Sequence, residues 1–383
     1  MITYCTKCIM PSTKPDIVFN QDGVCNACTS FASRDLINWK ARKQELDEIL
    51  NVYKSNDGSN WDCIIPVSGG KDSTYQVLKI LEYGLNPLCV TATTCDLSAI
   101  GRNNIENIKN FGVDYIEITP NRKVRARLNR LGLERVGDIA WPEHLGIFTI
   151  PVRAAVHFKV PLIIWGENSQ NEYGGPAASQ DKKHLDRRWL EEFGGLLGLR
   201  VSDLLASEGF KPSELINYTY PSNDDLSEVG VTGLFLGYYL PWDGMSNSLI
   251  AQCHGFTVYD SIVEGSMVNY ENLDNHQHGI HDYFKYLKFG FGRATDIACL
   301  HVRRGRLSRS EALDIVKQHE GKFPGSYLGK SLGDILEPLE ITEDYFRKIC
   351  DRYTNKKIFL RDNHGEFIRD QSGDLIKTNW DNQ

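Results

Sequence analysis

A short apolar run followed by two adjacent glycines constrains the fold of this chain more than any other feature of its sequence. Residues 63–67 form the kind of run that makes a buried parallel strand, and residues 73–83 have a helical pattern that closes at Gly84. The string Ser68-Gly69-Gly70-Lys71-Asp72-Ser73 joins them. A strand, a glycine loop and a helix in this order predict a doubly wound α/β domain with the loop at the carboxyl edge of its sheet.

The pattern continues along the chain. Residues 88–93, 115–118 and 161–166 are further short apolar runs, and residues 103–111 read as a helix ended by Gly112. Strands that alternate with helices predict a parallel sheet. Residues 310–319 and 343–353 read as helices, and residues 359–376, with two glycine-containing turns, as a small antiparallel meander.

The glycine loop has the composition of an anion site. Two glycines allow the backbone to approach an anion closely, and the following helix presents its N-terminus to the same anion. Ser68 and Ser73 offer hydroxyls, Lys71 a positive charge and Asp72 a carboxylate for a metal ion. The string matches neither the Walker A loop nor Gly-x-Gly-x-x-Gly. The alternative for a bare glycine pair is a tight turn, which the full six-residue string argues against.

The N-terminal cysteines have the spacing of a metal site. Cys5-x-x-Cys8 and Cys25-x-x-Cys28 are separated by a stretch of the length expected for a zinc ribbon, and four thiolates leave no open position, so the predicted zinc is structural. Two redox dithiols are the alternative. The other six cysteines are scattered, as reduced and mostly buried thiols are.

Charge and hydropathy exclude some classes of partner. The formal charge is −7, from 43 basic and 50 acidic residues, so the field of the whole molecule repels a polyanion and no nucleic acid is expected. No run reaches the about 18–20 apolar residues of a membrane span. The N-terminus lacks the pattern of a signal peptide. These features predict a cytoplasmic protein.

The glycine loop resembles the pyrophosphate loop (PP-loop) of the N-type ATP pyrophosphatases, which include asparagine, GMP and NAD synthetases and tRNA-modifying enzymes. The resemblance implies a PP-loop sheet that binds ATP and Mg²⁺, adenylates a substrate oxygen and releases pyrophosphate. The residues implied in ATP binding are Ser68, Gly69, Gly70, Lys71, Asp72, Ser73, Thr93 and Gly166, with Asp72 as the magnesium ligand.

A wider set of motifs resembles the N-acetyl sugar amidotransferases of O-antigen and pseudaminic-acid-type pathways. The motifs lie at residues 4–11, 23–28, 68–73, 141–144, 165–175 and 288–293, and they span nearly the whole chain. These enzymes convert an acetamido group to an acetamidino group. The resemblance implies that ATP adenylates the amide oxygen, and that ammonia then displaces AMP from the imidoyl-AMP.

Candidate catalytic residues follow from this chemistry: Lys71, Asp72, Glu167, Glu172, Lys288 and Arg293. Glu167 and Glu172 come after the fourth strand, where they are placed to hold Mg²⁺ or orient ammonia; surface loop carboxylates are the alternative. Lys288 and Arg293 lie in a glycine-rich segment and carry charge for the adenylate or pyrophosphate. As isolated residues they more often are solvated surface charge.

Aromatic and polar residues suit recognition of a sugar, and core packing is the alternative for the aromatic ones. The candidates for substrate contact are Trp141, Glu143, His144, Asn171, Tyr173, Tyr238, Trp242, His276 and His281. The basic strings 303–306 and 122–127 are candidates for a phosphate contact and for a docking surface, with exposed helix faces as the alternative.

No cysteine outside the zinc pairs sits in a nucleophile elbow, so this chain is not expected to carry a glutaminase of its own. The resemblance implies separate glutaminase and ammonia-channelling subunits similar to those of imidazole glycerol phosphate synthase. The competing readings are a tRNA-thiolating enzyme and an inactive zinc-ribbon scaffold. The predicted domains are a ribbon with a connecting helix (1–55), an ATP-binding domain (56–220) and a mixed α+β substrate-binding region (221–383).

Overall fold

The computed structural model describes residues 2–55, 57–167, 172, 174–175, 184–185 and 197–378. Its centre is a sheet of six strands: β1 Cys63–Pro66, β2 Pro87–Ala92, β3 Asp114–Ile118, β4 Leu162–Trp165, β5 His184–Leu185 and β6 Thr232–Phe235. The order across the sheet is β3-β2-β1-β4-β6-β5. Five strands are parallel, and β5 pairs with β6 in the antiparallel direction at the edge. The predicted α/β class with a parallel sheet is confirmed.

Both faces of the sheet are covered, which explains why its strands read as continuous apolar runs. In β1, Cys63 and Ile65 pack into the core on one face, whereas Ile64 packs into the core on the other. Ile65 lies opposite Cys89 of β2, and Ile64 opposite Ile163 of β4.

In the described part of the chain, helices, loops and short 3-10 turns surround this sheet. In chain order the helices are α1 Asn26–Ala32, α2 Trp39–Tyr53, α3 Lys71–Glu82, α4 Ala99–Lys109, α5 Arg122–Val136, α6 Trp141–Phe158, α7 Val201–Ser207, α8 Asn223–Val229, α9 Leu236–Tyr239, α10 Gly244–Cys253, α11 His278–Phe289, α12 Arg293–Arg303, α13 Arg309–His319, α14 Leu332–Leu336 and α15 Glu343–Tyr353. A short hairpin joins β7 Ser326–Tyr327 to β8 Lys330–Ser331.

Several boundaries differ from the sequence prediction for local reasons. Helix α4 begins at Ala99 rather than at 103 because Ser98 caps it, its Oγ accepting the N–H of Gly101 at 2.8 Å. Strand β6 lies beyond residue 220, where the predicted ATP-binding domain ends, so the sheet takes its fifth parallel strand from the region predicted to bind substrate.

The tail forms turns rather than strands. Isolated antiparallel bridges join Phe359 to Lys377, Arg361 to Phe367 and Arg369 to Leu375. The predicted glycine turns are present, with Gly365 and Gly373 at φ 89° and 85°. Phe359 and Leu375 pack into the C-terminal core. Hydrophobic contacts therefore hold the tail in place in addition to its few backbone bridges. Across the described residues, no helix combines the length and apolarity that crossing a membrane requires.

Candidate functional site

The glycine loop lies where the direction of strand order reverses. From β1 the sheet grows through β2 and β3 on one side and through β4 and β6 on the other. Parallel sheets bind ligands in the crevice at such a switch point, at the carboxyl ends of the strands. Residues 68–73 follow β1, and Gly166 and Glu167 follow β4, so the two segments meet at this crevice.

The two glycines of the loop have different roles. Gly69 has a φ of 84°, and a Cβ there would lie 2.8 Å from Ile105 Cγ1 and 3.1 Å from the Gly101 carbonyl oxygen of α4. Gly70 has an ordinary φ of −79° and is the N-cap of α3. Its N–H donates to Ser68 Oγ at 3.2 Å, and its carbonyl oxygen accepts from Ser73 Oγ at 3.0 Å. The loop therefore holds itself in shape at the N-terminus of α3.

Lys71 is buried between two carboxylates. Its Nζ lies 2.7 Å from Asp72 Oδ2 and 2.7 Å from Glu271 Oε1. Burial alone would lower the pKa of Lys71, but Asp72 and Glu271 outweigh burial and raise that pKa above its ordinary value. Lys71 thus carries its charge at the switch point. A Cβ at Gly244 would lie 3.2 Å from Lys71 Cε, so a side chain at position 244 would crowd the lysine.

Carboxylates accumulate around this lysine. Asp72 accepts a hydrogen bond from Asn247 Nδ2 at 2.8 Å and leaves about a third of its side chain (32%) exposed. Burial, together with the carboxylates of Asp72 and Glu172, raises the pKa of Glu167 to about 8. We call residues 68–73 with Glu167, Asn247 and Glu271 the loop site. Its oxygen donors fit a Mg²⁺ ion, which prefers carboxylates and phosphate oxygens.

A cavity of about 280 Å³ opens at the carboxyl ends of β2 and β3. Its lining includes residues 93–97, Arg122 and Arg125, together with Arg102 of α4, the helix that touches Gly69. Four buried polar atoms of this lining have no hydrogen-bond partner among the described residues: Thr93 Oγ1, Thr94 Oγ1, Asp96 Oδ2 and Arg125 Nη2. Buried polar groups are normally paired, so these four indicate a place for a polar ligand.

Behind this cavity lies a buried polar network. Arg125, only 2% exposed, donates from Nη1 to Glu143 Oε1 and from Nε to the Tyr218 hydroxyl, at 2.8 and 2.7 Å. Asn129 donates to the other oxygen of Glu143 at 2.8 Å. Glu143, predicted to contact substrate, is thus occupied by this pairing and acts on the cavity through Arg125.

The predicted histidines lie on the C-terminal side of that network. His281 Nδ1 is 2.7 Å from Asp138 Oδ1, and the ring of His144 stands edge-to-face against that of His281 at 5.3 Å. His276 Nδ1 lies 3.1 Å from the Tyr327 carbonyl oxygen. The structure therefore brings His144 and His281 together and keeps His276 on the hairpin side.

Other predicted residues lie away from the loop site. Lys288 Nζ donates to the Val136 carbonyl oxygen at 3.2 Å, and burial lowers the pKa of Lys288. Arg293 pairs with Asp282 at 3.1 Å, beside a separate cavity of about 430 Å³ in the C-terminal region. These contacts are with α5 for Lys288 and with α11 for Arg293.

Two of the predicted aromatic contacts, Trp141 and Trp242, are buried, whereas Tyr238 is partly exposed. Trp141 is fully buried beside α5 and Tyr218. Trp242 is 2% exposed, and its ring lies edge-to-face with Tyr75 and within 3.3 Å of a Cβ built on Gly166. Tyr238 stacks under Arg42 at 3.9 Å. Core packing, the alternative considered for these rings, accounts for their positions. Asn171 and Tyr173 lie outside the described residues.

Glu172 is held by arginines. One of its oxygens pairs with Arg34, and the other lies 3.1 Å from Arg304 Nη2. Arg303 donates to its carbonyl oxygen at 2.8 Å, and Arg304 also pairs with Asp243 at 3.0 Å. Of the basic string 303–306, Arg304 and Arg306 are therefore paired with carboxylates of this chain. Glu172 joins the N-terminal segment to the end of α12.

The four N-terminal cysteines converge as a metal site requires. All are buried, their Sγ atoms lie within 4.8 Å of one another, and the Cys5–Cys28 and Cys8–Cys25 distances are 3.9 and 3.8 Å. Cys8 and Cys25 donate backbone N–H groups to Cys5 Sγ, and Arg309 Nε donates to the Cys8 carbonyl oxygen at 3.1 Å. This cluster could hold a structural zinc ion, and it shares its core with α12 and α13.

Sequence reasoning missed the partners that complete these sites. Glu271 lies in an irregular segment, and Asn247 in the middle of a helix with no motif around it. Arg125 was noticed only as part of a basic string, although its burial places it at the floor of the cavity. A charged residue at a strongly apolar helix face was the available signal for Arg125: its neighbours Val124 and Leu128 are both core residues.

Comparison with known proteins finds similarity over two parts of the chain. Residues 259–371 match the family described as LPS biosynthesis protein WbpG-like, C-terminal domain. The chain is also 34% identical over 114 residues to the uncharacterized protein MJ1599 of Methanocaldococcus jannaschii. That similarity covers 29% of this chain and 39% of the relative, so the chain spans about two fifths of the length of the curated relative it matches. The segment that matches this family includes Glu271, His276 and His281.

Proposed function

We propose that this chain is an ATP-dependent amidotransferase that converts the acetamido group of a nucleotide-linked N-acetyl sugar to an acetamidino group in surface-glycan biosynthesis. The observation that carries the proposal is Lys71, charged and buried between Asp72 and Glu271 at the switch point of a parallel sheet. The similarity of residues 259–371 to an LPS-biosynthesis domain supports a glycan precursor as the substrate.

The loop site suits the first step. The acetamido oxygen donates an electron pair to the α-phosphorus of ATP, and pyrophosphate leaves with the electrons of the broken P–O bond. The N-terminus of α3 and Lys71 stabilise the charge that develops on pyrophosphate. Mg²⁺ held by Asp72 and Glu167 would supply further neutralisation of that charge.

The second step consumes ammonia. Its nitrogen adds to the imidoyl carbon, AMP leaves with the electron pair of the C–O bond, and the ammonia-derived nitrogen loses a proton to give the amidine. Cys95 lines the cavity, but burial and the nearby Glu143 raise its pKa to about 12, which makes it a poor nucleophile for glutamine. This supports a separate glutaminase and an ammonia-channelling subunit as partners, resembling the pair in imidazole glycerol phosphate synthase.

The cavity beside the loop suits the substrate. Its volume of about 280 Å³ accommodates one sugar ring or part of a nucleotide, and its unpaired groups include two hydroxyls, a carboxylate oxygen and a guanidinium nitrogen. These are donors and acceptors for ribose or sugar hydroxyls and for a phosphate. Thr93, predicted to contact ATP, lies among them.

The test is a reaction with Mg-ATP, ammonium chloride and a panel of nucleotide-linked N-acetyl sugars. We expect AMP and pyrophosphate in equal amounts, and a product whose mass reflects replacement of one oxygen by NH. An Asp72→Asn variant should lose both products, whereas Asp57→Asn, an exposed turn residue, should retain them. AMP formation with tRNA and with none of the sugars would overturn the proposal in favour of a tRNA-modifying enzyme.

A further inference from the structure

We propose that Asp138, His144 and His281 form a second metal site, which binds a first-row transition metal ion of the Zn²⁺ class. Their three candidate ligand atoms all lie within 4.8 Å of one another. Asp138 Oδ1 is 2.7 Å from His281 Nδ1, and Asp138 Oδ2 is 3.7 Å from His144 Nδ1. The carboxylate thus faces both imidazoles, one through each oxygen.

The three residues come from separate elements, each fixed by its own local structure. Asp138 follows Gly137, the left-handed residue that ends α5, and its Oδ1 also accepts the Ala140 N–H at 2.9 Å. His144 lies in the first turns of α6, and His281 in the first turn of α11. Convergence of three elements on one point is what a metal site needs, because its ligands must be held before the ion arrives.

The hydrogen bonds among these three residues do not satisfy all of their polar atoms. The Asp138–His281 contact satisfies one oxygen and one nitrogen, but His144 Nδ1 is buried with no hydrogen-bond partner among the described residues. Buried polar groups are normally paired, so this nitrogen is available to a ligand. A metal ion would accept the lone pairs of both Nδ1 atoms, and the proton between His281 and Asp138 would leave to solvent.

The ligand set indicates the class of ion and an open position. Two imidazoles and one carboxylate suit Zn²⁺, Co²⁺ or Fe²⁺ better than Mg²⁺ or Ca²⁺, which prefer all-oxygen sites. The side chains of His144 and His281 are 27% and 24% exposed, so the set is reachable from one side. Three protein ligands with an open side are typical of a site that takes water or a substrate atom as its fourth ligand.

Nearby charges make this site weaker than the four-cysteine cluster. Lys288 acts electrostatically on Asp138 and offsets part of its negative charge. Glu143, next to His144 in sequence, is already paired with Arg125. A chelator should therefore remove the ion from this site before it removes zinc from Cys5, Cys8, Cys25 and Cys28.

The test measures metal content and spectra of the full chain. With Co²⁺, the four-thiolate cluster gives a sulfur-to-cobalt charge-transfer band, whereas a nitrogen and oxygen site gives weaker d–d bands alone. We expect the wild-type chain to bind two equivalents, and His144→Ala and His281→Ala to lose the sulfur-free equivalent while keeping the charge-transfer band. His364→Ala, an exposed histidine of the tail, is the control and should bind two.

The wild-type chain alone can overturn the proposal. Binding of a single equivalent, with a spectrum that contains the thiolate site and nothing else, would mean that the three residues form a hydrogen-bonded group without metal. Because this outcome needs no substitution, it does not depend on whether a histidine variant folds. It is also independent of the amidotransferase reaction, since no substrate is present.

Discussion

The two walls of the loop site are built in opposite ways. One wall is a contiguous string, residues 68–73, between a buried strand and the helix that follows it. The facing wall takes Asn247 from α10 and Glu271 from an irregular segment; Asn247 is 175 residues from the aspartate that it contacts. The first wall is determined by local structure and the second by the fold of the C-terminal half. The contrast teaches which parts of a site a sequence can reveal.

The largest effect should come from the centre of the contiguous wall. Lys71→Met keeps the length of the side chain and removes its charge, so the leaving pyrophosphate loses its buried cation. We expect the rate of AMP formation to fall by about 10²–10³-fold, the cost of removing one such group from an active site. Steady-state assays with Mg-ATP and the active sugar measure it.

Lys79→Met is the control for this variant. Lys79 lies on the same helix but pairs at the surface with Glu82. Its loss should leave turnover within a few-fold of wild type. Equal rates for Lys71→Met and Lys79→Met would mean that the contiguous wall binds no reacting phosphate.

The two glycines of the loop allow a sharper test of the same wall. Gly69→Ala requires a left-handed backbone and places a methyl group 2.8 Å from Ile105. We expect a loss of about 2–4 kcal/mol in the free energy of unfolding, from backbone strain and from overpacking. Gly70 has an ordinary backbone angle, and a Cβ there meets only Ser68 Oγ at 3.2 Å. The free energy of unfolding of Gly70→Ala should therefore fall by less than about 1 kcal/mol. Denaturant unfolding of both variants would contradict the geometry if Gly70→Ala were the less stable.

How far the sequence could predict these features follows from the same contrast. Four parallel strands, the loop and the cysteine pairs depend on short segments whose pattern is complete in itself, and each was predicted close to its observed position. Strand β6 was missed because Thr232–Phe235 contains a glycine and begins with a polar residue, unlike the continuous apolar runs of β1 and β4. Nothing local distinguishes it from a turn, and its pairing with β4 supplies the missing constraint.

The residues of the facing wall could not be predicted, because their positions depend on contacts between distant parts of the chain. Trp242 and Glu271 both lie outside the helices and strands, yet Trp242 packs in the core and Glu271 pairs with Lys71. Which of them faces the loop depends on how α10 packs against α3. That arrangement is decided by contacts between distant parts of the chain, which a single sequence does not display.

The facing wall can be tested with a charge-neutral substitution. Glu271→Gln keeps the shape of the side chain and removes one of the two carboxylates at Lys71. Because Asp72 still pairs with the lysine, we expect about a tenfold rise in the KM for Mg-ATP, near the lower end of the worth of a charged hydrogen bond. Glu228→Gln, an exposed residue of α8, is the control. If neither variant changes the KM for Mg-ATP, the facing wall does not contribute to ATP binding.

The smallest expected effect is the binding or release of one proton by Glu167. It tests whether the two walls of the loop site bind a cation between them. The pKa of Glu167 is about 8, against an ordinary value of 4.5, because of burial and the nearby carboxylates. The folded chain therefore keeps a proton that the unfolded chain releases, and the free energy of unfolding contributed by Glu167 should fall as pH rises from 4.5 to 8. A Glu167→Gln variant should lose that dependence.

A bound cation reverses this preference. Mg²⁺ between Asp72 and Glu167 favours the ionised carboxyl, so its binding at neutral pH should release close to one proton. Calorimetric titrations in two buffers with different ionisation enthalpies measure the released proton, and Glu167→Gln should release none. Binding of Mg-ATP without proton release by the wild-type chain would place the cation elsewhere. Lys71 would then be the principal charge that the two walls present to pyrophosphate.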